Sequence, residues 1–221
     1  MEQINKKAPV IGFVRYSQKI KFTDKETNVF EKKYFEYRFD IFKNITLKSF
    51  QEQSNMNFVL LLLHSETMPQ EYKDRFNELA KANLFLHNLF IKDSSEGFDE
   101  GLRNSISYVS FKDDVAVTFR IDNDDAVPNN FIQNLNRFLK TDFYNFSISM
   151  PDICVIKRIS DTSYMVEERC LPSSSIGLAY VTNRSNFKTV MDLGDHGCVN
   201  TKVPMVLLTG NLRSINGGGG G

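Results

Sequence analysis

The chain of 221 residues has little of what marks several common classes of protein. It contains three cysteines, Cys154, Cys170 and Cys198, which are widely spaced and form no C-x-x-C pair. An odd, scattered set argues against a disulfide framework and against a zinc site, and it suits a reducing compartment. Lys plus Arg and Asp plus Glu both number 27, so no net charge draws nucleic acid to the surface as a whole.

Long apolar segments are also missing. The first nine residues are polar and charged, and the longest apolar run, residues 58–63, is far too short to cross a bilayer. We therefore expect a cytoplasmic protein, with peripheral association at the inner face of the membrane left open. The chain lacks a G-x-S-x-G elbow, a G-x-x-x-x-G-K-[ST] phosphate loop and a glycine-rich turn after the first strand, where Gly12 stands alone.

Short apolar runs alternate with amphipathic segments along the first part of the chain. Strands are predicted at residues 9–14, 57–63, 84–91 and 115–121, and helices at 34–53, 69–82, 98–110 and 129–139. This alternation is typical of a parallel sheet with helices on both faces. The later part is less regular, with strands predicted at 146–156, 163–168 and 178–183 and a short helix at 185–191. We predict one α/β domain over residues 1–216, followed by a glycine tail at 217–221.

Three carboxylates lie within four residues directly after the 115–121 strand, in the acidic turn Asp122-Asn123-Asp124-Asp125. Carboxylates this close repel one another unless a divalent cation lies among them. Magnesium or manganese takes one or two protein carboxylates and completes its shell with phosphate oxygens and water. The turn therefore suits a metal that bridges the protein to a diphosphate. A solvated turn that merely closes the strand is the alternative, and an EF-hand loop fits poorly because no glycine follows.

Other polar side chains are predicted at the same edge of the sheet. Ligands of open parallel sheets bind beyond the carboxyl ends of the strands. Arg15, His64 and Asp122 each follow a predicted strand, so we expect all three at that edge. We interpret His64 and His87 themselves as structural or exposed residues rather than ligands.

The stretch that leads into the acidic turn resembles inverting GT-A glycosyltransferases. The resemblance is carried by Gly101-Leu102-Arg103-Asn104, the apolar strand, the acidic turn and Pro128. Those enzymes have an Arg-Asn pair that opens a helix, a hydrophobic strand, and a D-x-D-D turn followed by proline. The sequence Arg120-Ile121-Asp122-Asn123-Asp124-Asp125-Ala126 is most similar to the bacterial family labelled putative rhamnosyltransferase. The resemblance covers residues 9–215, is specific over 101–131 and is loose after 140.

The resemblance implies a fold and a set of roles. The fold is a GT-A-like (Rossmann-like), mostly parallel sheet, with a nucleotide-sugar-binding half at residues 9–140 and a smaller mixed or antiparallel acceptor-side half at 141–216. The implied cofactor is Mn²⁺ or Mg²⁺. Asp122 would approach the donor ribose or the metal, Asp124 would be the main metal ligand, and Asp125 would orient the donor sugar or assist at the metal. Arg103 would face the diphosphate or nucleoside, and Arg15 the nucleotide.

An inverting transfer also needs a base that takes the proton of the acceptor hydroxyl. Two pairs late in the chain are candidates, Glu167-Glu168 and Asp195-His196. Since the second pair lies in a glycine-flanked loop and many GT-A enzymes have an acidic base and a late histidine, we predict Asp195 as the base. His196 is then predicted as a ligand of the metal or the diphosphate.

The predicted function is metal-dependent transfer of a sugar, with inversion, from a nucleotide-sugar donor to a glycan or glycolipid acceptor. A non-catalytic carbohydrate- or nucleotide-binding α/β module is the alternative. A metal-dependent phosphoesterase ranks below both, because two-metal sites gather His and Asp from several strands and the chain has three histidines.

Overall fold

The computed structural model describes residues 6–17, 29–160, 163–209 and 214–216, and within it the apolar runs form a seven-stranded sheet. The strands, in spatial order, are β10 (Met205–Leu207), β6 (Ser147–Ser149), β9 (Ala179–Asn183), β4 (Val115–Asp122), β1 (Val10–Arg15), β2 (Phe58–Ser65) and β3 (Leu86–Ile91). Strands β1 to β4 are parallel, whereas β9 runs antiparallel between β4 and β6. Strands covered on both faces have continuous apolar sequences, and all eight residues of β2 are buried.

Helices cover both faces of this sheet. They are α1 (Lys32–Ile41), α2 (Leu47–Gln51), α3 (Gln70–Ala82), α4 (Ser95–Asn104), α5 (Phe131–Asn136) and α6 (Val199–Lys202). A π-helical turn, Phe42–Thr46, joins α1 to α2, so the predicted helix at 34–53 is confirmed with an irregular centre. The Ser94 side chain accepts a hydrogen bond from the Gly97 N–H and begins α4 earlier than predicted.

The two faces carry separate cores because side chains alternate along each strand. The α1 face, which α1, α2, α3 and α5 cover, buries Val14 and Phe119 among other apolar residues. The α4 face, which α4 covers, buries Phe13 and Leu102. The segment of residues 190–203 also packs on the α4 face. Thr118 of β4 alternates with residues that face α1, so Thr118 and its strand partner Tyr180 point to the α4 face. The 190–203 segment contacts Tyr180 there. The predicted fold class is confirmed.

A second, four-stranded sheet adjoins the first. Its strands, in spatial order, are β5 (Asp125–Ala126), β11 (Ser214–Asn216), β7 (Asp152–Arg158) and β8 (Tyr164–Cys170). β7 and β8 are antiparallel along their whole length, as the sequence predicts. Because β4 belongs to one sheet and β5 to the other, the acidic turn connects the two sheets.

Three predicted elements after the acidic turn differ from the structure. The strand predicted at 146–156 is two strands, β6 and β7, in different sheets; Pro151, which has no N–H to donate to a ladder, lies between them. The helix predicted at 185–191 is absent from the described residues there. The Asn183 Oδ1 and Thr182 Oγ1 accept hydrogen bonds from the N–H groups of Asn186 and Lys188, which holds the segment in a turn until a 3₁₀ helix forms at Val190–Leu193. The third, the helix at 129–139, is shortened to α5.

In the described part of the chain, no helix combines the length and apolar character that crossing a bilayer requires. The predicted single domain over 1–216 stays a prediction, and the glycine tail at 217–221 lies outside the described residues.

Candidate functional site

The carboxyl edge of the seven-stranded sheet brings Arg15 and Asp122 side by side. Arg15 is the last residue of β1, Asp122 the last of β4, and the two are register partners across these parallel strands. Partners in register point to the same side of a sheet, here the α4 face. Their predicted proximity at this edge is therefore confirmed, although their predicted roles stay predictions.

Asp122 is surrounded by groups that the sequence did not single out. Arg120 lies two residues earlier on the same face, is buried, and places Nη2 3.7 Å from Asp122 Oδ1. The Ser175 hydroxyl donates a hydrogen bond of 3.0 Å to Asp122 Oδ2. The Asp122 side chain is still 41% exposed, which leaves it accessible to a ligand.

On the α4 face of this edge, two guanidinium groups, of Arg15 and Arg120, lie beside the carboxylate of Asp122. Burial lowers the pKa of Arg15, the neighbouring charge of Arg120 adds to that effect, and Asp122 opposes it. Arginine keeps its proton at neutral pH in proteins, so both positive charges persist. This arrangement suits a bound anion that presents its oxygen atoms in pairs to a planar guanidinium, such as a phosphate.

Asp124 and Asp125 have surroundings that differ from those of Asp122. Asp124 lies against helix α1, where Arg38 Nη1 donates a 3.3 Å hydrogen bond to Asp124 Oδ2. Asp125 is the first residue of β5, is almost completely buried, and is the register partner of Asn216 in β11. The turn therefore directs its carboxylates to three different surroundings.

Asn123, between them, is an unsatisfied polar group. Its side chain is buried, and within the described structure neither its amide nitrogen nor its amide oxygen has a hydrogen-bond partner. Leaving a buried amide unpaired costs about 1–3 kcal/mol, and such groups in folded proteins generally require a water, an ion or a ligand as explanation. The acidic turn thus contains a polar group that a ligand could satisfy.

The donor set can be tested against the metal that the resemblance implies. Among the described residues, no three His, Cys, Asp or Glu side chains converge closely enough to hold a metal ion. The set at the turn consists of the carboxylates of Asp122 and Asp124, with the unpaired Asn123 amide between them. Mg²⁺ is commonly held by one or two carboxylates and completed by phosphate and water. In residue type this set suits a cation that arrives with a diphosphate, but no described contact brings the two carboxylates together, so the metal and the ligand roles of Asp122, Asp124 and His196 stay predictions.

The family model described as "Putative rhamnosyl transferase" matches residues 8–218. The chain belongs to this family. Crystal structures of S. aureus TarS share its fold: for TarS 1–349 the TM-score is 0.52 at 11% identity, with 94% of this chain and 60% of that chain covered. For a second TarS structure the TM-score is 0.53 at 10% identity, with 94% and 36% covered.

These likenesses have limits. At such low identity they show the fold alone, and this rhamnosyl transferase family member spans less than two thirds of either TarS chain. A comparison with curated proteins found no match. The family therefore comes from the match over residues 8–218, and the TarS structures show that the fold is shared.

In this family member, the predicted base Asp195 lies on the α4 face, as Arg15 and Asp122 do, because residues 190–203 pack there. Its carboxylate accepts the Gly197 N–H and begins the 3₁₀ helix His196–Cys198. The His196 Nδ1 is 3.4 Å from Asp195 Oδ1. Both side chains are accessible, and no contact with the acidic turn is among their described interactions, so their assignments stay predictions.

Arg103 is placed less favourably. It lies in the last turn of α4, is exposed, and borders a small cleft with Phe187, Lys188 and Asp192. Helix α4 begins shortly after β3 ends, and therefore near the carboxyl edge of the sheet. Soon after α4 ends, Val109 pairs with Ala8 beside the start of β1, which is at the opposite edge. The structure thus moves Arg103 away from the edge that carries the acidic turn, and its role at the diphosphate stays a prediction.

The alternative base pair has its own partners. Glu167 lies on β8 and accepts two hydrogen bonds from Arg169, with Lys157 Nζ at 3.5 Å. The Arg169 hydrogen bond lowers the pKa of Glu167, which weakens it as a base. His64 is completely buried, as its structural interpretation requires, and its Nε2 is 3.2 Å from Asn88 Oδ1.

Several residues of the site escaped the sequence reasoning. Arg120 had a signal, since it interrupts an otherwise apolar strand, but Arg38 and Ser175 are 86 and 53 residues away from the aspartates they bind. A further polar group at the same edge joins Ser65, which follows His64, to Ser17, Thr67 and Asp93 by hydrogen bonds. Such contacts depend on the sheet order and have no local pattern.

Proposed function

We propose that the chain transfers a sugar from a nucleotide-sugar donor to a glycan or glycolipid acceptor, with inversion and with Mn²⁺ or Mg²⁺. Family membership supports the class of reaction. The observation that carries the proposal is the group at the carboxyl edge of the sheet, in which Arg15, Arg120 and Ser175 surround the accessible carboxylate of Asp122.

In the proposal, the donor diphosphate lies across the carboxyl edge of the sheet, beside the Arg15 and Arg120 side chains of its α4 face. Arg15 and Arg120 supply fixed positive charge, and their guanidinium groups match the oxygen atoms of phosphate in pairs. Asp122 and Asp124 would hold the cation, and Asn123 offers an unpaired amide beside them. The chemistry that a bound divalent cation supplies is Lewis-acid stabilisation of the charge on the leaving diphosphate.

The protein's own charges act in the same direction. As the bond from the sugar to the diphosphate breaks, negative charge grows on the leaving oxygen. Positive groups already fixed in a partly buried site stabilise such charge without reorganising. Arg120, which is buried and held beside Asp122, is the better placed of the two arginines for this role.

The acceptor hydroxyl loses its proton to Asp195 in the proposal. Asp195 lies on the α4 face and its side chain is 74% exposed, so an acceptor can reach it. Glu167 is a weaker candidate because Arg169 holds its pKa down. A glycolipid acceptor, cytoplasmic location and contact with the membrane face are parts of the proposal that depend on the whole protein.

The test is calorimetric titration of nucleoside diphosphates with and without Mn²⁺. We expect one of them to bind, more tightly with Mn²⁺, and Asp124→Ala to abolish the Mn²⁺ effect. Asp142→Asn is the matched control, since Asp142 is an exposed aspartate in a 3₁₀ helix remote from the turn in sequence. If no nucleoside diphosphate binds, or if Asp124→Ala binds as wild type does, the proposal is wrong.

A non-catalytic binding module is the second candidate. It is favoured by Asp195, whose carboxylate is already engaged in capping a 3₁₀ helix. This candidate predicts donor binding without turnover. Release of free sugar or of transfer product from a bound nucleotide sugar by the purified protein would remove it.

A further inference from the structure

Arg38 and Asp124 form an ion pair between helix α1 and the acidic turn. Both side chains are mostly buried, with 20% and 13% of their surfaces exposed. The contact is one hydrogen bond, from Arg38 Nη1 to Asp124 Oδ2 at 3.3 Å. It is the point at which the helical layer of the α1 face touches the turn's central carboxylate.

A second arginine near α1 shows what a permanent pair looks like here. Arg75 of α3 binds Glu36 of α1 through two hydrogen bonds, of 2.6 and 2.9 Å, and its guanidinium also lies 4.1 Å above the Phe39 ring. Two parallel bonds and ring stacking fix that pair geometrically. The Arg38 pair has one longer bond, so less is lost when it exchanges for another partner.

The surroundings of Arg38 offer such an exchange. The positive charge of Arg38 lowers the pKa of Tyr16, the residue that follows Arg15 at the end of β1, against the larger effect of burial. The Tyr16 hydroxyl is buried and has no hydrogen-bond partner in the described structure. Arg38 therefore lies close to the edge at which β1 and the acidic turn meet, on its α1-face side, where Tyr16 packs against Phe35 and Phe76. A diphosphate that lies across that edge would present oxygen atoms to Arg38 on one side and to Arg15 and Arg120 on the other.

We propose that Arg38 is a positioning residue that occupies Asp124 in the donor-free protein and transfers to a diphosphate oxygen when the cation takes Asp124. This inference rests on the proposed function, because it requires that Asp124 binds the cation. In the donor-free state the positive charge of Arg38 replaces that of the metal beside the carboxylate. The cation must displace it, so the cation binds weakly alone and strongly with the diphosphate.

The consequence is a coupling between two ligands. When the cation binds Asp124 and breaks the Arg38–Asp124 bond, Arg38 loses its partner. The diphosphate then supplies Arg38 with a new hydrogen-bond acceptor. The affinity of each ligand is thereby raised by the other, by the same factor in both directions. A merely structural ion pair would instead change stability and leave this coupling intact.

The experiment measures two affinities for wild type, Arg38→Gln and Arg75→Gln. Mn²⁺ is titrated alone, followed by electron paramagnetic resonance of the free ion, and inorganic pyrophosphate is titrated at saturating Mn²⁺ by calorimetry. We expect Arg38→Gln to bind Mn²⁺ alone about 3- to 10-fold more tightly, since the competing ion pair is gone, and to bind pyrophosphate about tenfold more weakly. Arg75→Gln should leave both affinities within about twofold of wild type.

The outcomes separate the inference from the function on which it rests. If Asp124→Asn loses Mn²⁺-dependent pyrophosphate binding but Arg38→Gln binds Mn²⁺ no more tightly than wild type, the inference is wrong and the metal site stands. If Asp124→Asn binds Mn²⁺ and pyrophosphate as wild type does, both are wrong. Arg38→Lys keeps the positive charge. It should bind Mn²⁺ alone as wild type does and should bind pyrophosphate less tightly. If Arg38→Lys instead binds Mn²⁺ as tightly as Arg38→Gln does, the claim that Arg38 competes with Mn²⁺ for Asp124 is wrong.

Discussion

The two sheets differ in how much of their own core they possess. The seven-stranded sheet is buried on both faces and supports a large apolar cluster, in which phenylalanine rings make stacked and edge-to-face contacts. The four-stranded sheet has a cluster of only Ile153, Val155 and Ile176 among the described residues, and the edge strand β8 is almost wholly exposed. One sheet is a rigid support, and the other is a layer attached to it.

The acidic turn lies at the junction of these two regions. Asp122 ends a strand of the large sheet, Asp125 begins a strand of the small one, and Ser175 reaches Asp122 from the later part of the chain. Sites on rigid elements are held more accurately than sites on loops. The difference teaches that the large-sheet side of the junction is fixed by packing, whereas the small-sheet side depends on contacts with the large sheet.

The largest effect should come from the core of the large sheet. Phe119 is fully buried, with its ring 5.0 Å from that of Phe131 and 5.8 Å from that of Phe50. We expect Phe119→Ala to lower the free energy of unfolding by about 3–5 kcal/mol, and Ile153→Ala in the small sheet by about 2 kcal/mol. Urea unfolding measures both. Equal losses would show that the small sheet belongs to the same tightly packed core.

The next effect concerns the junction itself. Asp122→Asn removes the negative charge beside Arg15 and Arg120, and we expect sugar transfer, measured as kcat/KM, to fall about 100-fold. Ser175→Ala removes the one hydrogen bond that Ser175 donates to Asp122 and should lower kcat/KM about fivefold. Asp142→Asn again serves as control. A Ser175→Ala loss as large as that of Asp122→Asn would mean that the small region fixes the site as much as the large sheet does.

The pH dependence of stability should reveal the buried end of β2. Burial lowers the pKa of His64 to about 3, against an opposing hydrogen bond between His64 Nε2 and the accepting Asn88 Oδ1, whereas the unfolded chain binds this proton near pH 6.5. Unfolding is therefore favoured as pH falls below 6.5, and no effect arises above it. Near pH 5 the loss is about 2 kcal/mol relative to neutral pH.

His64→Phe isolates this contribution, because it keeps a ring beside Phe76 and Phe90 and removes the proton. The difference in unfolding free energy between wild type and His64→Phe should change with pH only below 6.5. A difference that is constant from neutral pH to near pH 5 would show that His64 is protonated in the fold.

The smallest effect should come from the exposed edge strand. Val166 in β8 is 63% exposed, so Val166→Thr should change the free energy of unfolding by less than about 0.5 kcal/mol. A loss of more than 1 kcal/mol would indicate that β8 is covered by another surface in solution. Analytical ultracentrifugation of wild type and Val166→Thr would then show whether the covering surface is a second copy of this chain.

The sequence predicted the large sheet well for a physical reason. Buried parallel strands are continuous apolar runs, and β1, β2 and β4 are found within two residues of their predicted ends. The same reasoning put Arg15 and Asp122 at one edge, because parallel strands begin and end together. It could not supply Arg38, whose helix meets the turn only after the chain folds.

The later part was predicted less accurately because its local signals conflict. An apolar pattern runs across Pro151, yet the residues on either side belong to different sheets. Between Asn183 and Lys188, side-chain oxygen atoms take the N–H groups that a helix would need. The sequence offered both Asp195 and Glu167 as candidate bases and favoured Asp195 for its glycine-flanked loop, but the groups that surround each carboxylate are set only by the folded chain.

By itself, the sequence determined that apolar segments of strand and helix period would make a layered α/β core, with an acidic turn after its central strand. Tertiary structure decided which partner each aspartate of that turn has: Arg120 and Ser175 for Asp122, Arg38 for Asp124, and a buried strand position for Asp125. The reason is that hydrophobic periodicity is local along the chain, whereas the charges that set the chemistry of a carboxylate come from whichever elements the fold packs against it.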